Sequence, residues 1–180
     1  MLTIRPATIS DTTLILDLVR ELAAYERAPD AVKAAEADFA RDGFGAAPKF
    51  RVVIAEWDAT AAGFALFFYN YSTWEGRPGL YLEDLYVRPE FRGRGIGKEL
   101  LRHLAQIAVR DNCARFEWHV LDWNEPSLRF YESLGARHLK EWLTMRVDGE
   151  ALRRLAGEQP RRKRDVGGKA GTGARDPETE

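Results

Sequence analysis

A mixed α/β fold is predicted, with an antiparallel sheet flanked by helices. Three segments rich in β-branched and aromatic residues, 50–55, 64–71 and 80–87, follow one another with only turn-forming stretches between them, the pattern of a meander. Apolar residues at helix spacing precede this run at Leu14, Ile15, Leu18, Val19 and Leu22, and follow it at Leu100, Leu101, Leu104 and Ala108. Between the last strand and the second helix stands the most distinctive stretch of the chain, a turn with three alternate glycines at 92–98.

Residues 2–4 read as a short strand halted by Pro6, after which Ser10 can cap the first helix. A weaker helical pattern covers 31–41 and should break at Gly43 and Gly45. The strand at 50–55 is followed by a hairpin turn within 58–63, and a loop with Trp74, Gly76, Pro78 and Gly79 separates the next two strands. Beyond the glycine turn and its helix, 115–120 reads as a strand, 127–134 as a short helix ended by Gly135, and 138–147 as a final strand. One domain is expected over 1–156. From Gly157 the sequence loses apolar periodicity, and a basic run at 159–164 leads into Gly-rich and acidic residues, so 157–180 reads as a disordered tail whose cations are solvated.

The turn Arg92-Gly93-Arg94-Gly95-Ile96-Gly97-Lys98 can direct successive N–H groups at an anion, where the dipole of the following helix also favours negative charge. The dinucleotide fingerprint needs glycines at its first, third and sixth positions, which Gly93, Gly95 and Gly97 do not provide. A triphosphate loop would need glycine where Arg92 stands and Ser or Thr where Glu99 stands. A ligand-free strand-to-helix connection is the alternative, but three flanking cations favour a phosphate.

At 180 residues with 45% hydrophobic content, the chain suits a single full-sized core. A net charge of −1 gives no global attraction to nucleic acid or anionic membrane, so the expected partner is small. A lone Cys113 excludes an internal disulfide, and no Cys and His set has zinc spacing, so no metal is expected. With no apolar leader core and no apolar run of spanning length, a reducing, cytoplasmic setting is expected.

Leu80-Tyr81-Leu82-Glu83-Asp84-Leu85-Tyr86-Val87, the arginine-glycine turn, and Asn124-Glu125-Pro126-Ser127 running to Phe130-Tyr131 together resemble the Gcn5-related N-acetyltransferases, and their diamine acetyltransferase branch in particular. The likeness extends over 2–156 through Arg5-Pro6-Ala7, Tyr25-Glu26 and Asp42-Gly43-Phe44-Gly45. Tyr71-Ser72-Thr73-Trp74 and Leu121-Asp122-Trp123-Asn124 resemble the thialysine-acetylating subtype, since polyamine acetylators tend to carry an acidic residue where Ser72 stands. Loss of a carboxylate disfavours a long polyamine, so a lysine-like or thialysine-like amine is expected.

The resemblance implies acetyl-CoA as co-substrate, with its pyrophosphate on Arg92, Gly93, Arg94, Gly95, Ile96, Gly97 and Lys98. It implies a bulged, splayed strand whose Leu85, Tyr86 and Val87 bond the pantetheine arm through the backbone, with Asn124 and Ser127 lining that arm. A lysine-type amine has a reference pKa of about 10.4, so attack on a thioester requires a proton acceptor. The resemblance gives that role to Glu83, with Asp84 placed by simple strand alternation on the opposite face. It gives the general-acid role toward the leaving thiolate to Tyr131, although Phe130-Tyr131 on residue type alone reads as packing.

Tyr25, Glu26, Trp74, Glu83 and Asp84 are the expected amine pocket, carboxylates and aromatic faces both attracting a cation. Direct attack in a ternary complex leaves no role for Cys113, which reads as packing, as does Trp142, while His103, His119 and His138 receive no catalytic or metal role. A homodimer is implied by resemblance alone. Acetylation of a peptide N-terminus or an aminoglycoside, and a non-catalytic acyl-CoA-binding module, are the other readings.

Overall fold

The computed structural model describes residues 1–158. The expected tail from 157 therefore falls almost wholly outside the described residues. Two compact units are distinguished, Met1–Phe130 and the part beginning at Tyr131.

The first unit carries five strands, β1 (Leu2–Pro6), β2 (Arg51–Trp57), β3 (Thr60–Ser72), β4 (Arg77–Val87) and β5 (Arg115–Trp118), arranged in that order across the sheet. Neighbours are antiparallel except β4 and β5, which are parallel and therefore need a crossover. That crossover contains α3 (Ile96–Arg110). The helices α1 (Thr12–Tyr25) and α2 (Glu36–Phe44) lie between β1 and β2 in the chain.

Alternation along the strands builds a core on each face of the sheet. Val52, Ile54, Phe64, Leu66 and Tyr86 pack with Ile15, Leu16, Leu18 and Leu22 of α1 and Phe39 of α2. Phe67, Leu80 and Leu82 turn the other way, and Ile96, Leu100, Leu101 and Leu104 of α3 are buried as that helix packs on β3 and β4. Each fully buried side chain of this size contributes about 1.5–3 kcal/mol.

Several local expectations are revised. Ser10 is not the cap of the first helix: a 3-10 turn, Ile9–Asp11, precedes it, and the Asp11 carboxylate accepts from Thr8 N–H (2.7 Å) and Thr8 Oγ1 (3.0 Å). The second helix starts later than expected and runs through Gly43, whose hydrogen faces the Phe50 ring; a Cβ there would come 2.7 Å from Phe50 Cε2. The hairpin turn is only Asp58 and Ala59, both with positive φ (47° and 63°), as a two-residue turn matched to strand twist requires. β5 ends at Trp118, two residues early.

In the second unit, the expected strand at 138–147 does not form. Trp142 is 68% exposed rather than buried, and Leu143 and Met145 are exposed as well, so no partner ladder or core holds the segment in strand form. An unexpected helix, α5 (Gly149–Leu155), follows it.

Candidate active site

The site is built on a fault in β4. Leu66 pairs with Asp84 and Phe67 with Leu82, so Glu83 is an extra residue that the β3 ladder does not match. Directly paired residues share a face, and Leu66 and Phe67 point to opposite faces. Leu82 and Asp84 therefore face opposite ways although they are two residues apart, and simple alternation no longer separates Glu83 from Asp84. Asp84 lies on the face of Leu66 and Tyr86, toward α1.

The other edge of β4 opens at the same level. Pairing with β5 runs from Gly79↔Arg115 to Leu82↔Trp118 and stops, while β4 continues to Val87. From Glu83 onward this edge has no strand beside it among the described residues.

At the end of β4 the glycine turn enters α3. Gly93 and Gly95 have φ of +75° and +78°, and a Cβ on either would meet nothing within 4 Å, so both present bare backbone to open space. The first intrahelical bond of α3 runs from Glu99 N–H to Gly95 O (3.0 Å), and no side chain caps the helix. The N–H groups of Ile96, Gly97 and Lys98 thus have no acceptor within the helix, and the helix dipole favours negative charge beside them. Gly97 also permits close packing, its Cβ position lying 3.8 Å from Phe130 Cζ and 3.9 Å from Val87 Cγ2. The arginines turn back on the protein. The Arg92 guanidinium sits 4.8 Å from the Tyr25 ring and donates from Nε to Val87 O (2.9 Å), and that of Arg94 sits 5.0 Å from the Trp57 ring.

Three carboxylates meet across the bulge. Asp84 is pushed up to about 7, first by burial and then by the like charges of Glu83 and Glu26. Partial burial raises Glu26, the residue that ends α1, as well. A carboxylate that takes up a proton near neutral pH beside an exposed carboxylate suits acceptance of a proton from an ammonium group. Arg88 braces the arrangement. Its Nε and Nη2 donate to the Glu21 carboxylate (2.7 Å at the shortest) and its Nη1 to Ala61 O (2.9 Å), joining α1 to the end of β4.

Asn124 links the end of α1 to the helix it precedes. It is buried, and its Oδ1 accepts from Ser127 N–H (3.3 Å) as the cap of α4 (Glu125–Ser133) and from Tyr25 Oη (3.4 Å). Capping of α4 and a contact to α1 are thus combined in one residue.

Comparison with known proteins places the chain in a family. The profile of the acetyltransferase (GNAT) family matches residues 15–136. The chain belongs to the GNAT acetyltransferase family. A thialysine N-epsilon-acetyltransferase of Sus scrofa is 42% identical over 166 residues, covering 86% of this chain and 97% of the relative. A spermidine/spermine N(1)-acetyltransferase-like protein 1 of Homo sapiens is 39% identical, covering 87% of this chain and 24% of the relative. Among solved structures, an integron cassette protein from the mobile metagenome of V. cholerae has a TM-score of 0.74 at 29% identity, covering 86% of this chain and 97% of that one.

This GNAT acetyltransferase brings Tyr25, Glu26, Glu83 and Asp84 to one region but not Trp74. Trp74 is 90% exposed at the tip of the β3–β4 hairpin, beyond the Ser72↔Arg77 rung. Five residues of strand separate that rung from Leu82, about 17 Å at strand rise. Ser72 shares the tip, where its Oγ accepts Glu75 N–H (3.2 Å), so within one chain it stands away from the three carboxylates. Tyr131 lies half-buried on α4 and opens the second unit. Cys113 is no nucleophile in this setting, since burial and Asp111 push its thiol up.

Two pairs went unseen in the sequence. Arg88 and Glu21 are 67 residues apart, and Tyr81 Oη and His119 Nδ1, 2.6 Å from one another, are 38 apart. Neither has a local signal, because each pairing arises only when separate elements pack.

Proposed function

We propose that this GNAT acetyltransferase transfers the acetyl group of acetyl-CoA to a small primary amine of lysine-like or thialysine-like form. The observation that carries the reading is the coincidence of an uncapped α3 N-terminus, an unpaired β4 edge and a carboxylate cluster on one bulge. The donor set fits a diphosphate-bearing thioester: bare N–H groups at the helix start for the phosphates and free strand backbone for the amides of pantetheine. Acetyl-CoA supplies the activated carbonyl on which the amine acts directly.

The chain's own residues supply orientation and proton transfer. The backbone of Arg92, Gly93, Arg94, Gly95, Ile96, Gly97 and Lys98 holds the phosphates, and Leu85, Tyr86 and Val87 with Asn124 and Ser127 align the pantetheine arm. Glu26 and Asp84 attract the ammonium group together with the Tyr25 ring, and Glu83, working with Asp84, takes its proton. Tyr131 is assigned the return of a proton to the departing sulfur, on its match to the family motif. Preference for a lysine-like amine is supported by the likeness to the Sus scrofa relative and by the Tyr71-Ser72-Thr73-Trp74 motif. A homodimeric, cytoplasmic enzyme acting on neither nucleic acid nor membrane completes the reading.

Free-thiol release tests it directly. Purified protein with acetyl-CoA is mixed with thialysine, lysine, putrescine, spermidine, spermine or a peptide. Thialysine or lysine is expected to give the highest kcat/KM; preference for spermine or for the peptide would overturn the acceptor assignment.

A further inference from the structure

Tyr25 is held by residues from two separate loops. Its ring carries the Arg92 guanidinium at 4.8 Å, and Arg92 opens the glycine turn. Its hydroxyl donates to Asn124 Oδ1, the cap of α4, at 3.4 Å. Two residues further, Arg27 places its guanidinium 4.4 Å from the ring of Trp123, which neighbours Asn124. The C-terminal turn of α1 thus reaches to the loop that starts α3 and to the loop that starts α4. Glu26, within the same turn, is near enough for its charge to act on Asp84.

We infer that Tyr25, besides attracting the amine, couples the two substrate sites, so that a bound CoA moiety tightens binding of the amine. This rests on the acetyltransferase reading above. The grip on Tyr25 is loose, with a hydrogen bond at the long limit and a side chain on a residue 38% exposed. A ligand that orders the glycine turn fixes Arg92, and one that lines up along Asn124 fixes the acceptor of the tyrosine hydroxyl. The ring and the Glu26 turn are then already ordered when the amine arrives, which lowers the entropic cost of its binding. Coupling of this kind is reciprocal: the amine must tighten CoA by the same factor.

Calorimetry of thialysine binding, with and without saturating CoA, reads the coupling without turnover. The full-length protein is expected to bind thialysine about tenfold more tightly with CoA, and CoA to gain the same factor with saturating thialysine. Tyr25→Phe keeps the ring under Arg92 and loses the hydroxyl, so its factor should fall to an intermediate value; Tyr25→Leu should bring it close to one. Arg92→Lys retains a cation but not the planar stack and should also reduce the factor. A merely structural defect would weaken binding without changing the ratio. Should the parent bind CoA and acetylate thialysine with a ratio of one, or should Tyr25→Leu and Arg92→Lys keep the parent's ratio, the coupling is wrong and the acetyltransferase reading stands. Absence of both CoA binding and thiol release would remove that reading and the coupling together.

Discussion

Asp84 is paired to Leu66 across the β3–β4 ladder, whereas Glu83, its immediate neighbour, has no counterpart there. One bulge thereby holds two carboxylates in unlike surroundings, Asp84 half-buried on the α1 side and Glu83 exposed. Burial and the charges of Glu83 and Glu26 keep a proton on Asp84 until about pH 7. Asp84 is thus suited to change its protonation state in the range where an amine must be deprotonated.

Asp84→Asn should separate stability from activity. The folded-state value of Asp84, about 7, lies above its ordinary value of 3.8, so the folded protein binds more protons than the unfolded chain between these limits. Stability contributed by this group is present below about pH 4 and is lost as pH rises through 7. Asn removes that loss, and the melting temperature at pH 8 should rise by about 2–4 °C for each kcal/mol recovered. At pH 4 the gain should vanish. Differential scanning calorimetry at the two pH values checks both signs, while thiol release with thialysine should fall.

Glu83→Gln should lower kcat by about 100-fold or more while CoA affinity is unchanged, since a positioned base typically contributes that much. Removing its charge also removes one of the pressures on Asp84. The acidic limb of the residual pH–rate profile should therefore move to lower pH, a shift that misfolding would not produce. Unchanged turnover near pH 7 would show that Glu83 is not the proton acceptor.

The sheet was legible from the sequence wherever a strand has its partners and its core within reach. Segments 50–55, 64–71 and 80–87 carry alternating apolar residues that pack on α1 and α3, and local pattern and tertiary context agree. The glycine turn was legible because its conformations, φ +75° at Gly93 and +78° at Gly95, demand glycine. A bulged strand was expected only through family resemblance, at Leu85, Tyr86 and Val87, whereas the unmatched ladder position is Glu83, which no residue type marks. Residues 138–147 have strand composition, but composition does not supply a pairing edge. Trp74 was assigned by type, as an aromatic suited to a cation, whereas its place at a hairpin tip follows from strand length.

Tyr131→Phe should slow thiol release by about 100-fold with thialysine, because the assigned proton donor is lost while the ring remains. CoA affinity measured by calorimetry should be preserved. A parent-like rate would remove Tyr131 from the chemistry.

Gly95→Ala tests the anion site through the backbone alone. Gly95 is the N-cap of α3, with a left-handed φ of +78° and no neighbour within 4 Å of a Cβ. A methyl group therefore meets no steric obstacle, and its cost is the left-handed backbone itself, about 1–2 kcal/mol. That strain can be relieved only by turning the peptide units on either side of Gly95, which re-aims the N–H groups next to the helix start. Calorimetry should thus show weaker binding of CoA by at least tenfold, together with a melting temperature lower by about 2–4 °C per kcal/mol. Dephospho-CoA retains the diphosphate and should lose the same factor. Pantetheine lacks it and should bind parent and variant alike, and this contrast assigns the loss to the diphosphate.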